Sequence, residues 1–277
     1  MNRIKVQHKR HLEQLIEEHI QANGHACDLN HLDVSDITDM SMLFFDHRFD
    51  GDISCWDVSK VTSMVSMFSD SIFNGDISKW NTSSVVVMDR MFSGSAFDND
   101  ISDWDVSSVI SMRKLFSRSA FSGDISKWNT CKLQDTMFMF EGCFFNGDIS
   151  QWDTSNVRTM SHMFDESKFN RTISNWDVSR CENMQRMFES SKFQGDISRW
   201  NVSKVEDMQG LFENTQYKRD ISSWVINAQC RIEHAAPDNY GNCPLFLACA
   251  LAKGQHTSPI GIPYSLRPAY EQAYAMA

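Results

Sequence analysis

The eight tryptophans of the chain follow one another at an interval of 24 residues, from Trp56 to Trp224. An isoleucine precedes each tryptophan by three positions, and a phenylalanine follows each of the first seven by twelve positions. A fixed period of this length is typical of a solenoid, in which every repeat packs only on its neighbours. The sequence therefore predicts a stack of 24-residue coils, with the tryptophans as an internal column whose indole N–H groups bond to carbonyls.

The repeat begins before the first tryptophan. Residues 28–51 align with the later units, with Leu29 in the isoleucine column and Leu32 in the tryptophan column. We therefore expect the solenoid to cover 28–226, with eight full coils and a partial ninth that begins at Asp220. The eight full coils, numbered 1 to 8 below, open at Asp28, Asp52, Asp76, Asp100, Asp124, Asp148, Thr172 and Asp196.

Each coil combines two hydrophobic periodicities. In coil 2, Ile53, Trp56 and Val58 predict a short extended piece with the last two side chains facing inward. The apolar residues of 61–68 recur at the spacing of a short helix or helical turn, and Ser59 precedes them as an N-cap. Stacking these units predicts an α/β repeat solenoid with parallel strands on the concave side and short helices on the convex side.

The repeated unit D-I-S-x-W-[DN]-[VT]-S-x-V-x-x-M-x-x-M-F-x-x-x-x-F resembles the unit of BspA-type leucine-rich repeat proteins of bacteria, which are related to repeated units of mycoplasma surface proteins. The resemblance covers about residues 28–226. It implies a right-handed, leucine-rich-repeat-like coil. Because many relatives are exported surface proteins, it also implies a role in adhesion.

The two ends of the chain depart from the period and are predicted to cap the solenoid. Residues 1–27 contain an amphipathic stripe that ends at Gly24 and indicates a helical cap, with a partner-binding helix as the alternative. Residues 227–277 contain an apolar helical stretch at 242–254 and are expected to form a C-terminal cap and tail, or a functional or oligomerising appendage. The apolar residues of the N-terminal stripe are Leu12, Leu15, Ile16 and Ile20.

Charge and cysteine usage narrow the range of partners. The net charge of −10 disfavours nonspecific binding to nucleic acid or to an anionic membrane. The N-terminus leads directly into a charged helix, and no apolar run of about 18 residues follows, so we expect neither a signal peptide nor a membrane span, and a cytoplasmic location. The eight cysteines include no CxxC pair, so we expect reduced thiols and predict no metal or cofactor.

Side chains that vary within the repeat are candidates for binding a partner, because they have no packing role. One such column directly precedes each tryptophan, and another lies four residues after it. The candidates in the first column are Lys79, Asp103, Lys127, Gln151, Asn175 and Arg199. The candidates in the second column are Arg180 and Lys204, which we expect to form a basic spot with Arg199. A solvated surface is the alternative for both columns.

Two further columns consist largely of carboxylates. The aspartates that open the coils, such as Asp52, are expected to accept backbone N–H groups in a turn. The column that directly follows the tryptophans is predicted to point outward, and its interleaved asparagines limit repulsion between stacked charges. Its candidates for partner binding are Asp57, Asp105, Asp153 and Asp177.

The sequence favours a noncatalytic protein-interaction module whose solenoid surface binds a protein partner. Two alternatives stay open: an acidic inhibitor that imitates nucleic acid and occupies a basic groove, and an exported adhesin, which the resemblance alone implies. No Ser–His–Asp order or phosphate-binding glycine loop can be placed together, so we predict no enzyme. One cluster could supply a thiol nucleophile, and it comprises Cys243 and Cys249 with His234 and His256.

Overall fold

The computed structural model describes residues 3–221, 223–232 and 235. Its regular elements are strand β1 (Ile4–Lys5), helix α1 (Lys9–Asn23) and strand β2 (Leu32–Asp33). β1 pairs in parallel with β2, which belongs to coil 1. The predicted helix of 242–254 and the predicted cysteine–histidine cluster lie outside the described residues.

Helix α1 buries an apolar stripe formed by Leu12, Ile16 and Ile20. The helix ends at Gly24, whose φ of 84° lies in the region that favours glycine and whose backbone N–H donates to the carbonyl of Ile20 at 2.7 Å. The imidazole of His19 on α1 contacts that of His31 in coil 1, with 2.8 Å between their Nε2 atoms. The helix therefore lies against the first coil, and within the described residues it is the only helix. No helix in the described part of the chain has the length and apolar character needed to cross a bilayer.

Each coil is a succession of tight turns. In coil 2, the N–H of Trp56 donates to the carbonyl of Ile53 at 3.1 Å, and the N–H of Met67 donates to that of Met64 at 3.2 Å. Apart from β2, the described residues of the coils contain neither the predicted strands nor the predicted short helices. The prediction of a strand followed by a helix in every coil is therefore wrong for this part of the chain.

Two local features explain why turns replace strands and helices. Aspartate, asparagine and serine side chains bond to nearby backbone N–H groups and so compete with regular structure. In the methionine-rich segment, each coil also has residues in the left-handed region, and such a residue interrupts a helix. The φ angles of the non-glycine residues there lie between 49° and 61°. Those at the first left-handed position are Met42, Ser66, Arg90, Lys114, Phe138, His162 and Arg186.

The segment predicted to be helical carries a regular backbone ladder between the coils. Residues 24 positions apart pair in parallel at one column from Asp39 to Arg231. Between coils 2 and 3, four further N–H groups donate at 2.7 to 3.1 Å to carbonyls of the next coil. These donors are Met64, Ser66, Phe68 and Asp70, and their acceptors are Val87, Asp89, Met91 and Ser93. The described chain is thus a stacked repeat solenoid whose backbone ladder runs along its turns.

Aromatic rings form the core in continuous columns. The rings of Trp80 and Trp104 stack with 6.4 Å between their centroids and 5° between their planes. Phe68 stacks on Phe92 of the next coil at 5.7 Å and on Phe73 of its own coil at 4.3 Å. Because each aromatic side chain buries about 150–250 Å², these columns supply much of the apolar burial that holds neighbouring coils together.

Each of the eight tryptophans donates its indole N–H to a carbonyl of the preceding coil, which confirms the prediction of an internal, hydrogen-bonded column. The donor–acceptor distances lie between 2.9 and 3.2 Å. The acceptor of Trp128, for example, is the carbonyl of Ile101 at 3.1 Å. A buried indole N–H needs a partner, so this bond fixes the height of one coil above the next.

A further row of side-chain acceptors, six residues before the tryptophan column, also connects the coils. Each Oδ1 atom accepts the backbone N–H of the residue 24 positions later, at 2.7 to 2.9 Å. The acceptors are Asp50, Asn74, Asp98, Asn146 and Asn170. This row therefore adds a second set of side-chain hydrogen bonds between neighbouring coils, separate from that of the tryptophans.

Replacing the indole of Trp128 tests the tryptophan column. Trp128→Phe removes one donor, but the carbonyl of Ile101 keeps the N–H of Trp104, so we expect a loss of about 1 kcal/mol in the free energy of unfolding. Trp128→Ala also opens a cavity, and we expect a loss of about 3–5 kcal/mol. Urea unfolding followed by circular dichroism measures both. Losses well below 1 kcal/mol for both variants would contradict a structural role for the column.

Coil 1 carries a histidine at a turn position where coils 2 to 4, 6 and 7 carry serine. The Nδ1 atom of His47 accepts the N–H of Phe49 at 2.9 Å, as the hydroxyl of Ser71 accepts that of Phe73 at 3.0 Å. Burial lowers the pKa of His47, and neighbouring His25 lowers it further, against the opposing charge of Glu17. The unfolded chain therefore takes up this proton more readily, and stability is lost as the pH falls below about 6.5.

His47→Ser tests this pH dependence, since serine keeps the acceptor and cannot become protonated in this range. Between pH 7.5 and pH 5.5 we expect the urea midpoint of the wild type to fall further than that of His47→Ser. The midpoint is measured at both pH values with identical salt. An equal decrease for the two proteins would show that protonation of His47 does not weaken coil 1.

Candidate functional site

The candidate residues lie on one exposed surface, which we call the variable face. It consists of the column directly before the tryptophans, the column directly after them and the column four residues after them. All twelve predicted candidates are exposed. They are Lys79, Asp103, Lys127, Gln151, Asn175 and Arg199, Asp57, Asp105, Asp153 and Asp177, and Arg180 and Lys204.

The buried tryptophans position this face. In coil 5, the backbone turns at Ile125, whose carbonyl accepts the N–H of Trp128 at 3.3 Å. Trp128 is 3% exposed, while Lys127 and Asn129 on either side of it are exposed. Because every tryptophan is held by its indole bond, the outward side chains recur at the fixed spacing of the coils.

The acidic column after the tryptophans stabilises the fold as well as facing solvent. The Oδ1 atom of Asp57 accepts the backbone N–H of Ser59 at 3.0 Å, and that of Asp105 accepts the N–H of Ser107 at 2.9 Å. Hydrogen bonding by these serines holds the pKa of each carboxyl below its ordinary value. Asp153 and Asp177 make the same bond at 3.0 and 2.9 Å.

Asparagine serves equally well in this column. Asn81, Asn129 and Asn201 accept the corresponding backbone N–H at 3.2, 3.3 and 3.2 Å. The turn therefore requires a side-chain oxygen and does not require a charge. The charge at the four aspartates is available for another purpose, such as contact with a partner.

The column four residues after the tryptophans is partly engaged with the preceding coil. The guanidinium of Arg180 donates to Oδ1 of Asn156 at 2.7 Å, and the ammonium of Lys60 lies 2.6 Å from Oδ1 of Asp36. Lys204 makes no direct hydrogen bond or ion pair with a described residue. The predicted basic spot therefore contains one hydrogen-bonded cation, Arg180. Its other two cations, Lys204 and Arg199, make no direct hydrogen bond or ion pair with a described residue.

The column directly before the tryptophans is the least engaged part of the variable face. Lys79, Asn175 and Arg199 make no direct hydrogen bond or ion pair with a described residue. The ammonium of Lys127 lies 4.0 Å from Asp103, with both side chains more than 70% exposed, so this pair contributes little to stability. These side chains can change partners without cost to the fold.

Two cysteines of the described coils fit packing better than reactivity. Cys143 and Cys181 are buried free thiols, whereas Cys55 is exposed. Burial raises the pKa of Cys181 to about 12, so its thiolate is scarce at neutral pH. Cys181 occupies a core column that holds valine, leucine or isoleucine in the other coils.

One column of charged residues is not among the predicted candidates. It reads Ser69, Ser93 and Ser117 in coils 2 to 4 and then Glu141, Asp165, Glu189 and Glu213 in coils 5 to 8. The change from serine to carboxylate at one position of the repeat was the available signal.

The fold and the variable face together define a repeat solenoid with an outward surface of variable side chains. The chain belongs to the family described as "Mycoplasma protein of unknown function, DUF285", whose model matches residues 12–120, 94–167 and 144–236. No curated protein and no solved structure matched the chain.

Two substitutions at Asp105 separate the charge of the acidic column from its role in the turn. Asp105→Asn keeps the acceptor oxygen, so we expect the free energy of unfolding to change by less than about 0.5 kcal/mol. Asp105→Ala removes the acceptor, and we expect a loss of about 1 kcal/mol. Urea unfolding at pH 7 measures both. Equal losses for the two variants would show that charge, and not the turn bond, stabilises this position.

Proposed function

We propose that the chain is a noncatalytic protein-interaction module that binds a folded protein partner through the variable face. The proposal includes the finer features that the resemblance implies, a BspA-type repeat and a right-handed coil. A solenoid suits this role because its rigid stack presents many side chains on one extended surface.

The observation that carries the proposal is the row of exposed side chains directly before the tryptophans, which make few direct contacts with described residues. Five repeats separate Lys79 from Arg199, so at about 4.8 Å per coil the row is about 24 Å long. A standard protein interface buries about 800 Å² on each partner, or roughly 28 Å on a side. The row and its two flanking columns therefore match the size of one such interface.

The mixture of charges favours a protein over a basic nucleic-acid-binding groove as the partner. Lys60, Lys132 and Arg180 act electrostatically on the carboxylates of Asp57, Asp105 and Asp177, respectively. This positive charge interrupts the uniform negative field that an imitation of nucleic acid requires. A face of mixed lysine, aspartate, glutamine and asparagine suits a partner with an equally mixed polar surface.

We place this interaction in the cytoplasm, where the free thiols of the coils would stay reduced. Cys55, which is exposed next to the tryptophan column, would be open to oxidation in an oxidising compartment.

The test is affinity capture from a lysate of the cells that encode the chain, with quantitative mass spectrometry. Three baits are compared: the wild type, the face variant Lys127→Glu/Arg199→Glu, and the control Lys168→Glu/Lys192→Glu. Lys168 and Lys192 are exposed in a different column, so the control makes the same change of charge away from the face. We expect the wild type and the control to retain one protein at least tenfold more strongly than the face variant.

Retention of the same proteins by all three baits would contradict the proposal. A fourth bait distinguishes the proposal from the alternative of nucleic-acid imitation. In this bait, Asp57, Asp105, Asp153 and Asp177 are changed to Asn. That alternative predicts loss of capture by the fourth bait and a steep decrease of wild-type capture with salt. The proposal predicts that the fourth bait still captures the partner and that salt has a weak effect.

A further inference from the structure

Coils 5 to 8 carry four carboxylates in one column, Glu141, Asp165, Glu189 and Glu213, which we call the carboxylate stack. Their side chains are 12%, 13%, 14% and 25% exposed. Successive coils are about 4.8 Å apart, and like charges that face each other across such a distance are destabilising. The stack therefore needs compensating positive charge.

The described side chains compensate the stack mainly near its ends. The guanidinium of Arg118 lies 3.0 Å from Glu141, and that of Arg186 lies 3.1 Å from Glu189 and 3.9 Å from Glu213. Asp165, in the middle, has an imidazole as its direct partner, because Nδ1 of His162 lies 2.9 Å from its Oδ2. The guanidinium of Arg118 acts on this carboxylate without a direct ion pair. With that imidazole neutral, four carboxylates against two guanidinium groups leave a formal excess of two negative charges.

Three residues at the centre of the stack bring metal-binding atoms together. One ligand atom each of His162, Asp165 and Glu189 lies within 4.8 Å of the others, and all three residues are half-buried. The ring of His162 stacks on Phe138 with 4.2 Å between centroids and 13° between planes. This stacking fixes the plane of the imidazole beside the two carboxylates.

One carboxylate oxygen of Glu189 has an ion pair but no hydrogen bond within the described chain. Its Oε2 atom is buried and accepts no hydrogen bond from the described residues. Arg186 comes within 3.1 Å of this atom, but this contact is an ion pair without the alignment of a hydrogen bond. Burial raises the pKa of Glu189, and the charge of Asp165 raises it further. A buried carboxylate oxygen in this condition is stabilised by an additional cation.

We propose that His162, Asp165 and Glu189 bind a divalent transition-metal ion, with Zn²⁺ as the best match, between coils 6 and 7. Imidazole nitrogen with carboxylate oxygen is a donor set that zinc uses in proteins. Mg²⁺ and Ca²⁺ fit less well, since they prefer oxygen ligands alone and in larger number. Small shifts of the side chains bring the three atoms to about 2.0–2.2 Å from the ion, and water completes the coordination. The ion offsets the excess negative charge of the stack.

The repeat itself supplies substitutions that the fold tolerates. Arginine occupies the column of His162 at Arg90 and Arg186, where φ is 57° and 52°, close to the 55° of His162. Serine occupies the column of Asp165 and Glu189 in coils 2 to 4. The test variants are therefore His162→Arg alone and His162→Arg/Asp165→Ser/Glu189→Ser. The control is Glu206→Gln, which removes one exposed carboxylate in a different column.

Equilibrium dialysis against Zn²⁺ with the full chain gives stoichiometry and affinity, and the visible absorption of added Co²⁺ reports tightly bound metal. We expect the wild type and Glu206→Gln to bind one equivalent more than the triple variant. We expect His162→Arg to bind that equivalent at least tenfold more weakly. Zn²⁺ should raise the thermal midpoint of the wild type and the control but not that of the triple variant.

The proposal is overturned if the triple variant binds as many equivalents as the wild type with the same affinity. That result would place any bound zinc elsewhere, for example at the histidines of α1. Circular dichroism of each variant without metal shows whether it is folded. If the triple variant does not fold, His162→Arg decides the question, and unchanged zinc affinity in this variant overturns the proposal.

Discussion

The structure depends on the hydrogen bond from each indole N–H to an isoleucine or leucine carbonyl of the preceding coil. One such bond per repeat connects the side-chain core to the backbone of the neighbouring coil. A tryptophan shifted by even one position in the sequence would lose both its stacking partner and its carbonyl acceptor. The strict 24-residue period is a consequence of this double requirement, because an insertion in any coil would break the register of every column.

Side-chain oxygens also stabilise the coils, because they accept backbone N–H groups within one coil and from the next. Asp52 and Asp57 close successive turns of coil 2, and Asn74 accepts an N–H from the next coil. With few helices and strands, the described coils satisfy their backbone through these short polar side chains and through the ladder along the turns. The remaining outward side chains make few contacts that stabilise the fold, so they can vary and provide a binding surface.

The sequence predicted the repeat, its buried columns and the exposure of the candidate residues, because a period of 24 shows which positions recur and which vary. It did not predict the local conformation. The spacing of Val61, Met64 and Phe68 suits a helix, but Ser66 adopts a left-handed φ of 53°, and its N–H donates to a carbonyl of the next coil. Asp165 and Glu189 are 24 residues apart, so the period places them on neighbouring coils, but it does not show how closely their side chains approach His162.

The most direct test of the account is hydrogen exchange at the indole N–H groups, observed by nuclear magnetic resonance of the native chain. All eight tryptophans are 3–4% exposed and donate to backbone carbonyls. We predict eight indole signals, with those of the inner coils exchanging only through opening of the solenoid and therefore orders of magnitude more slowly than a solvent-exposed indole. Exchange of the inner indoles at the rate of a freely exposed tryptophan would contradict the stacked, hydrogen-bonded column.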